Sequence, residues 1–292
     1  MIGGTIPALA TPFTDCGAAV DLDLLDAHVA WLHERGIRTV SPMGTTGEGL
    51  SLSLAERKSV MQRLAAHPSG MALLVGTGCT NLPETIELSR YAVECGAVGL
   101  LVAPPSYYDA TARGALDYFL SLLEVLPHEA RVFLYHIPSM TGVPIEEEVF
   151  VALEERYGPV LAGAKDSSGD LDHVRRWLRQ FSRLTILSGS DDFASAVYAA
   201  GGRGTITMLA NVLPDELEAI RRGERVEERQ AFLTAVRELV GALPRHAALK
   251  HLLHVVSGLP RASVRPPLEE LTEEQIAYLD VRFSDLRSEA HV

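Results

Sequence analysis

A chain of 292 residues with 47% hydrophobic and 22% charged side chains is long enough for one large α/β domain and has an ordinary globular balance. Its net charge of −12 leaves no basic stripe for a phosphate backbone, which speaks against nucleic acid as a partner. The three cysteines, Cys16, Cys79 and Cys95, form no CxxC and no Cys/His ligand spacing, so neither a disulfide framework nor a zinc site is indicated and a reducing cytoplasm fits best.

The opening stretch MIGGTIPALATPF is apolar, lacks a basic leader and is too short to span a bilayer, so it reads as a first strand and no membrane partner is expected. That strand covers residues 5–10, and an amphipathic helix follows at 22–35, with Leu25, His28, Val29 and Leu32 at helical spacing. Further apolar runs lie at 37–43, 71–76, 98–103, 131–137, 160–165, 184–189 and 204–210. Each has the length of a strand, and most are apolar on both faces, as in parallel strands covered by helices. Amphipathic stretches separate them at 54–66, 83–94, 113–125, 145–155, 170–181 and 191–200, and another lies at 215–222. Ser53 precedes one of them as an N-cap, with Glu56 at the capping-box position. Eight strand–helix units in an unbroken run predict a closed (β/α)₈ TIM barrel over residues 1–222, with a doubly wound open sheet as the alternative. Residues 223–292 read as C-terminal helices packed on the barrel, and no linker marks a second domain.

In such a barrel the chemistry sits at the C-terminal ends of the strands. Of 26 basic residues only Lys58, Lys165 and Lys250 are lysine, and Lys165 ends the run VLAGAK at the tip of the sixth strand. A lysine pointing into an apolar barrel mouth has its ammonium disfavoured, which leaves a neutral amine able to attack a carbonyl. The alternative is an ammonium that escapes to solvent or pairs with Asp166 or Asp191. Tyr135 ends the fifth strand, where its hydroxyl can shuttle protons beside the lysine or serve as a satisfied core group. Gly44-Thr45-Thr46-Gly47-Glu48-Gly49 follows the second strand. Its glycines and hydroxyls suit a small anion such as a carboxylate, though a plain tight turn reads equally well. It matches neither nucleotide-binding glycine motif.

The seventh strand ends in Ser188-Gly189-Ser190-Asp191-Asp192. Two aspartates there repel phosphate and favour a substrate with hydroxyls or with a carboxylate held elsewhere, or else they only start a helix. His251 and His254 have an i, i+3 spacing, but their segment, which also holds His246, is expected off the barrel mouth without a carboxylate, so no metal is expected.

Read together, ALATPF, GTTGE, PPSYY, YHIPSMTG, GAKDSSGD, LSGSDD, GGRGTITMLANVLP and SGLPRASVRPPL follow one another nearly end to end. In these motifs the chain resembles the dihydrodipicolinate synthase / N-acetylneuraminate lyase family of Schiff-base barrels. The resemblance implies a soluble lyase of the class I aldolase type, acting on pyruvate or another 2-oxo acid and an aldehyde without metal, nucleotide or flavin. It implies Lys165 as the Schiff-base lysine, Tyr135 as the proton shuttle, and Thr45 and Thr46 as holders of the 2-oxo acid carboxylate. Tyr108 resembles a tyrosine that reaches into a neighbouring subunit's site, within a homotetramer built as a dimer of dimers. Ile206 would lie over the bound pyruvate, and Ser167 and Asp191 resemble positions that contact substrate hydroxyls.

The chain departs from the synthases at one place. Where their tyrosine motif reads YxxPxRTG, the arginine position here is Met140, and a thioether cannot hold the carboxylate of an aspartate semialdehyde. The lysine motif KDSSGD is also closer to the sugar-acid aldolases. The preferred expectation is therefore aldol cleavage or condensation of a 2-keto-3-deoxy sugar acid or 4-hydroxy-2-oxo acid. Dihydrodipicolinate synthase, a keto-deoxy acid dehydratase and a keto-acid-binding barrel without turnover are the alternatives.

Overall fold

Apolar runs that bury both faces, alternating with capped amphipathic segments, resolve into eight strand–helix units. The computed structural model describes residues 2–290. In chain order it runs β1 (Gly4–Pro7), α1 (Leu22–Glu34), β2 (Thr39–Val40), α2 (Leu54–Ala65), β3 (Ala72–Gly76), α3 (Leu82–Glu94), β4 (Gly99–Val102) and α4 (Ala112–Val125). It continues with β5 (Val132–His136), α5 (Pro138–Thr141), α6 (Glu147–Tyr157), β6 (Leu161–Asp166), α7 (Leu171–Gln180), β7 (Thr185–Ser188), α8 (Ala194–Ala199) and β8 (Gly204–Thr207). Four helices follow: α9 (Pro214–Arg221), α10 (Val226–Gly241), α11 (Arg245–Ser257) and α12 (Glu273–Glu289).

All strand pairs are parallel, and the order β1-β8-β7-β6-β5-β4-β3-β2 leaves β1 and β2 as the two edges. Those edges meet through an Ala8–Ser41 bridge, with Leu9 N donating to Ser41 O at 2.9 Å and Ser41 N to Pro7 O at 2.8 Å. The sheet is thus a closed barrel, and the open doubly wound alternative is excluded. The apolar run at 204–210 is strand only to Thr207, and Leu209–Asn211 turns as a 3₁₀ helix. There the Asn211 amide accepts from Ala10 N and donates to Ala8 O, bonding the backbone just beyond β1.

Local chemistry sets the helix starts. Asp21, Ser53, Asn81, Thr111, Asp170 and Thr272 each accept a hydrogen bond from a first-turn amide, and Ser53–Glu56 and Thr272–Gln275 form full capping boxes. Such a cap stabilises a helix by about 1 kcal/mol. Inside the barrel, Ile6, Leu74, Leu101, Phe133, Leu187 and Ile206 form the inner core. The Phe133 ring fits because its neighbours on β4 and β6 are glycine: a Cβ on Gly99 would lie 3.1 Å from the ring and one on Gly163 2.9 Å. The helices cover the outer faces through a larger core that includes Leu32, Phe119, Phe150 and Trp177. α10, α11 and α12 share another core with Leu209, Val212 and Leu217. Pro244 separates α10 from α11, because a proline disfavours helix for the residue before it.

Candidate active site

Tyr135 and Lys165 are register partners on β5 and β6, so both point into the barrel at its C-terminal mouth. Lys165 Nζ lies 3.2 Å from Tyr135 Oη, and Thr45 Oγ1 approaches the same oxygen at 3.2 Å. Lys165 is only 4% exposed, and its Nζ sits 4.3 Å from the Tyr135 ring centroid. Among the described residues neither expected alternative partner pairs with Lys165: the Asp166 carboxylate turns to His173 and Asp191 Oδ2 accepts from Leu209 N. Burial alone would push the Tyr135 hydroxyl up, but the Lys165 charge and hydrogen bonds from Thr45, Lys165 and Ser167 outweigh it and leave the hydroxyl below the usual tyrosine range. The Tyr135 hydroxyl thus stands within hydrogen-bond reach of both the Lys165 amine and the Thr45 hydroxyl, the contacts that a proton relay requires.

These groups open into a cavity of about 460 Å³, also lined by Thr46, Ser167, Gly189, Asp191, Ile206, Met208 and His246. Gly189 is required for space: a Cβ there would meet Ser167 Oγ at 1.9 Å and Lys165 Cε at 2.9 Å. Asp191 is buried and accepts from Leu209 N at 3.3 Å through Oδ2, while its Oδ1 has no hydrogen-bond partner among the described residues. Burial pushes its carboxyl up to about 6. On the other side of Thr45 and Tyr135 lies a second cavity of about 270 Å³, lined by Gly44, Leu50, Cys79, Ser106 and others. Met140 is 57% exposed and lines both cavities.

The loop carrying Gly44, Thr45 and Thr46 is shaped by left-handed residues at both ends, Met43 (φ 60°) and Glu48 (φ 51°). Non-glycine residues are costly in this conformation, which is found where surrounding structure enforces it. Tyr108 is not brought to this chain's own site. It is 78% exposed, stacked edge-on against Tyr107 at 5.2 Å, and lines neither cavity.

Two features escaped the sequence reading. His246 does not lie off the mouth: it lines the cavity, and its Nε2 is 3.0 Å from Thr45 O. Behind the relay, His136 and Asp166 alternate outward from Tyr135 and Lys165 and meet His173 of α7. His173 Nδ1 is 2.6 Å from Asp166 Oδ2, and the two imidazoles stack at 5.0 Å with an interplanar angle of 15°. These three side chains offer metal-ligand atoms, but in-plane lone pairs on parallel rings do not converge on one ion. The set fits a hydrogen-bonded network instead. His136 Nδ1 accepts from Ile145 N at 3.1 Å, and burial, helped by His173 and opposed by Asp166, holds this imidazole at about 4. The only advance signal was that His136 and Asp166 directly follow Tyr135 and Lys165 in the chain.

Residues 1–284 match the family model described as the Dihydrodipicolinate synthetase family. An uncharacterized DapA-like lyase of Chloroflexus aurantiacus is 39% identical over 281 residues, covering 94% of each chain. The crystal structure of KD(P)GA from T. tenax superposes with a TM-score of 0.89 at 26% identity, covering 99% of this chain and 100% of that one. YagE, a prophage protein of the dihydrodipicolinic acid synthase family from E. coli K12 in complex with pyruvate, gives a TM-score of 0.89 at 27% identity, with 98% and 99% covered.

Proposed function

The chain belongs to the dihydrodipicolinate synthetase family and is a lyase of the class I aldolase type, and we propose that it joins and cleaves pyruvate and an aldehyde through a Schiff base on Lys165. The observation that carries this reading is the 3.2 Å approach of Lys165 Nζ to Tyr135 Oη inside the cavity, with Thr45 Oγ1 equally close to the same oxygen. The pyruvate-bound YagE supports the choice of 2-oxo acid.

In the cleavage direction the Lys165 amine attacks C2 of the 2-oxo acid, whose carboxylate lies against Thr45, Thr46 and the Gly44 turn. Tyr135 protonates the carbinolamine oxygen, water leaves, and a protonated imine forms. The C3–C4 electrons move into that imine as the C4 hydroxyl gives its proton to Tyr135. An aldehyde departs and an enamine remains. Protonation at C3 and hydrolysis release pyruvate and restore the amine, so protons and electrons balance. Ile206 forms the floor under C3, and Ser167 and Asp191 face the hydroxylated end.

The substrate class we assign is a 2-keto-3-deoxy sugar acid or a 4-hydroxy-2-oxo acid. Met140 offers no charge to a second carboxylate, Asp191 offers a polar contact to hydroxyls, and the KD(P)GA likeness agrees. We further propose a cytoplasmic homotetramer. The exposed Leu50, Tyr107 and Tyr108, of which Leu50 lines the second cavity, would be covered by a neighbouring copy whose Tyr108 completes this site.

Borohydride reduction in the presence of pyruvate, followed by peptide mass mapping and a screen of aldehydes and keto-deoxy acids, tests the reading. An adduct on Lys165, absent in Lys165→Ala, and pyruvate release from a keto-deoxy sugar acid are expected. An adduct surviving in Lys165→Ala would defeat the assignment. Turnover with aspartate semialdehyde alone would make the chain a synthase, water loss without carbon–carbon cleavage a dehydratase, and trapping without any turnover a binding protein.

A further inference from the structure

Glu48 ends the GTTGE loop, and its side chain is withdrawn from solvent. A buried carboxylate needs a partner, and this one has two. Lys250 Nζ of α11 donates to Glu48 Oε1 at 2.5 Å, and the backbone N–H of Arg265 donates to Oε2 at 3.1 Å. Lys250 is equally buried, donates a second bond to Ser263 O at 2.7 Å, and stands 4.6 Å from the Phe13 ring centroid. Glu48 in turn closes the loop on itself, since Glu48 N donates to Thr45 O and Gly49 N to Gly44 O, each at 3.1 Å. One turn before Lys250 on the same helix, His246 Nε2 reaches Thr45 O. Thr11 Oγ1 donates to Gly47 O at 2.6 Å. The loop backbone is thus pinned from behind, and the Thr45 hydroxyl is left facing Tyr135.

We propose that Lys250 is a positioning residue for the reaction: its buried ion pair with Glu48 ties the Gly44–Gly49 loop to α11 and so sets Thr45 against Tyr135 and the carboxylate cradle against Lys165. The inference rests on the assignment of Lys165, Tyr135 and Thr45 as the reacting site. It makes α11, which lies outside the eight strand–helix units, part of the catalytic machinery.

The test compares the wild-type chain with Lys250→Met and with the double variant Glu48→Leu/Lys250→Met. Three quantities are measured: the single-turnover rate of borohydride-trapped pyruvate adduct, the KM for pyruvate, and the melting temperature. Lys250→Met leaves the Glu48 carboxylate without its cation, whereas the double variant removes both charges, leaves only the Arg265 N–H and Ser263 O unmatched, and is expected to recover part of the lost thermal stability. A displaced loop is expected to slow trapping by at least about tenfold in every folded variant and to raise the pyruvate KM, because small misplacements of reacting groups are costly. If the double variant regains stability and traps at the wild-type rate, the pair is merely structural and the proposal is overturned. A folded Lys250→Met that traps at the wild-type rate overturns it equally. Should Lys250→Met not fold, the double variant decides alone. A wild-type chain that traps no pyruvate would instead defeat the Schiff-base reading, and this inference with it.

Discussion

Gly189 stands directly beside Lys165: a Cβ on the glycine would lie 2.9 Å from Lys165 Cε, while Gly189 N donates to Asp166 O at 2.7 Å. The loop after β7 thus closes against the lysine stem with no room for a methyl group. Gly189→Ala is expected to push the Ser167 hydroxyl and the lysine aside together, slowing adduct trapping by at least about tenfold and costing about 1–3 kcal/mol of stability. Denaturant unfolding and single-turnover trapping measure the two effects. Adding Ser167→Ala removes the tighter clash and should recover stability more than rate. Wild-type kinetics in Gly189→Ala would contradict the close packing.

Asp191 carries a sign that can be checked. Burial raises its carboxyl from 3.8 to about 6 in the folded chain. Its stabilising contribution is therefore full below pH 3.8 and is lost as pH rises through about 6. Asp191→Asn cannot ionise, so its stability relative to wild type should improve from acid to neutral pH, by up to roughly 3 kcal/mol at about 1.4 kcal/mol per unit. Urea titrations across that window decide it. A difference that stays constant with pH would show that the folded carboxyl titrates normally.

His28 has the opposite dependence. It is buried on α1 with Nε2 3.3 Å from Asn211 O, and burial, opposed by that carbonyl, lowers it from 6.5 to about 4. The unfolded chain takes up a proton first, so this contribution is full above pH 6.5 and is lost as pH falls through about 4. His28→Gln should flatten the pH dependence of unfolding in that window. Part of the slope remains, from His136, which is likewise held at about 4. An unaltered slope would remove His28 from the account.

Met140 can be replaced at little packing cost, because it is exposed at the rim of the cavity. Met140→Arg places a guanidinium there and should raise kcat/KM for carboxylated aldehydes such as aspartate semialdehyde relative to neutral ones. A bidentate carboxylate contact supports a gain of about tenfold. Equal changes for both classes of aldehyde would mean that the side chain does not reach the acceptor.

The barrel was legible because its strands are apolar on both faces and its helices announce themselves with caps such as Ser53 and Thr272. Lys165 was legible because lysine is rare in this chain and this one ends an apolar run. The eighth strand proved shorter than its apolar run because Asn211 turns inward to bond Ala8 and Ala10, a tertiary contact no local pattern encodes. The role of α11 was hidden for the same reason. Lys250 reads as an ordinary helix lysine until its partner, 202 positions earlier, is brought beneath it. His246 was placed off the mouth because periodicity reports which face of a helix is apolar, but not which loop it approaches.

Because Glu48 waits for Lys250, synthesis order has a consequence. A nascent chain that has emerged only through β8 already owns every barrel strand, Lys165 and Tyr135, yet the cation that pairs with Glu48 has still to be made. Until α11 and the segment after it follow, the Gly44–Gly49 loop has its bond from Thr11 but not those from Lys250, His246 and Arg265.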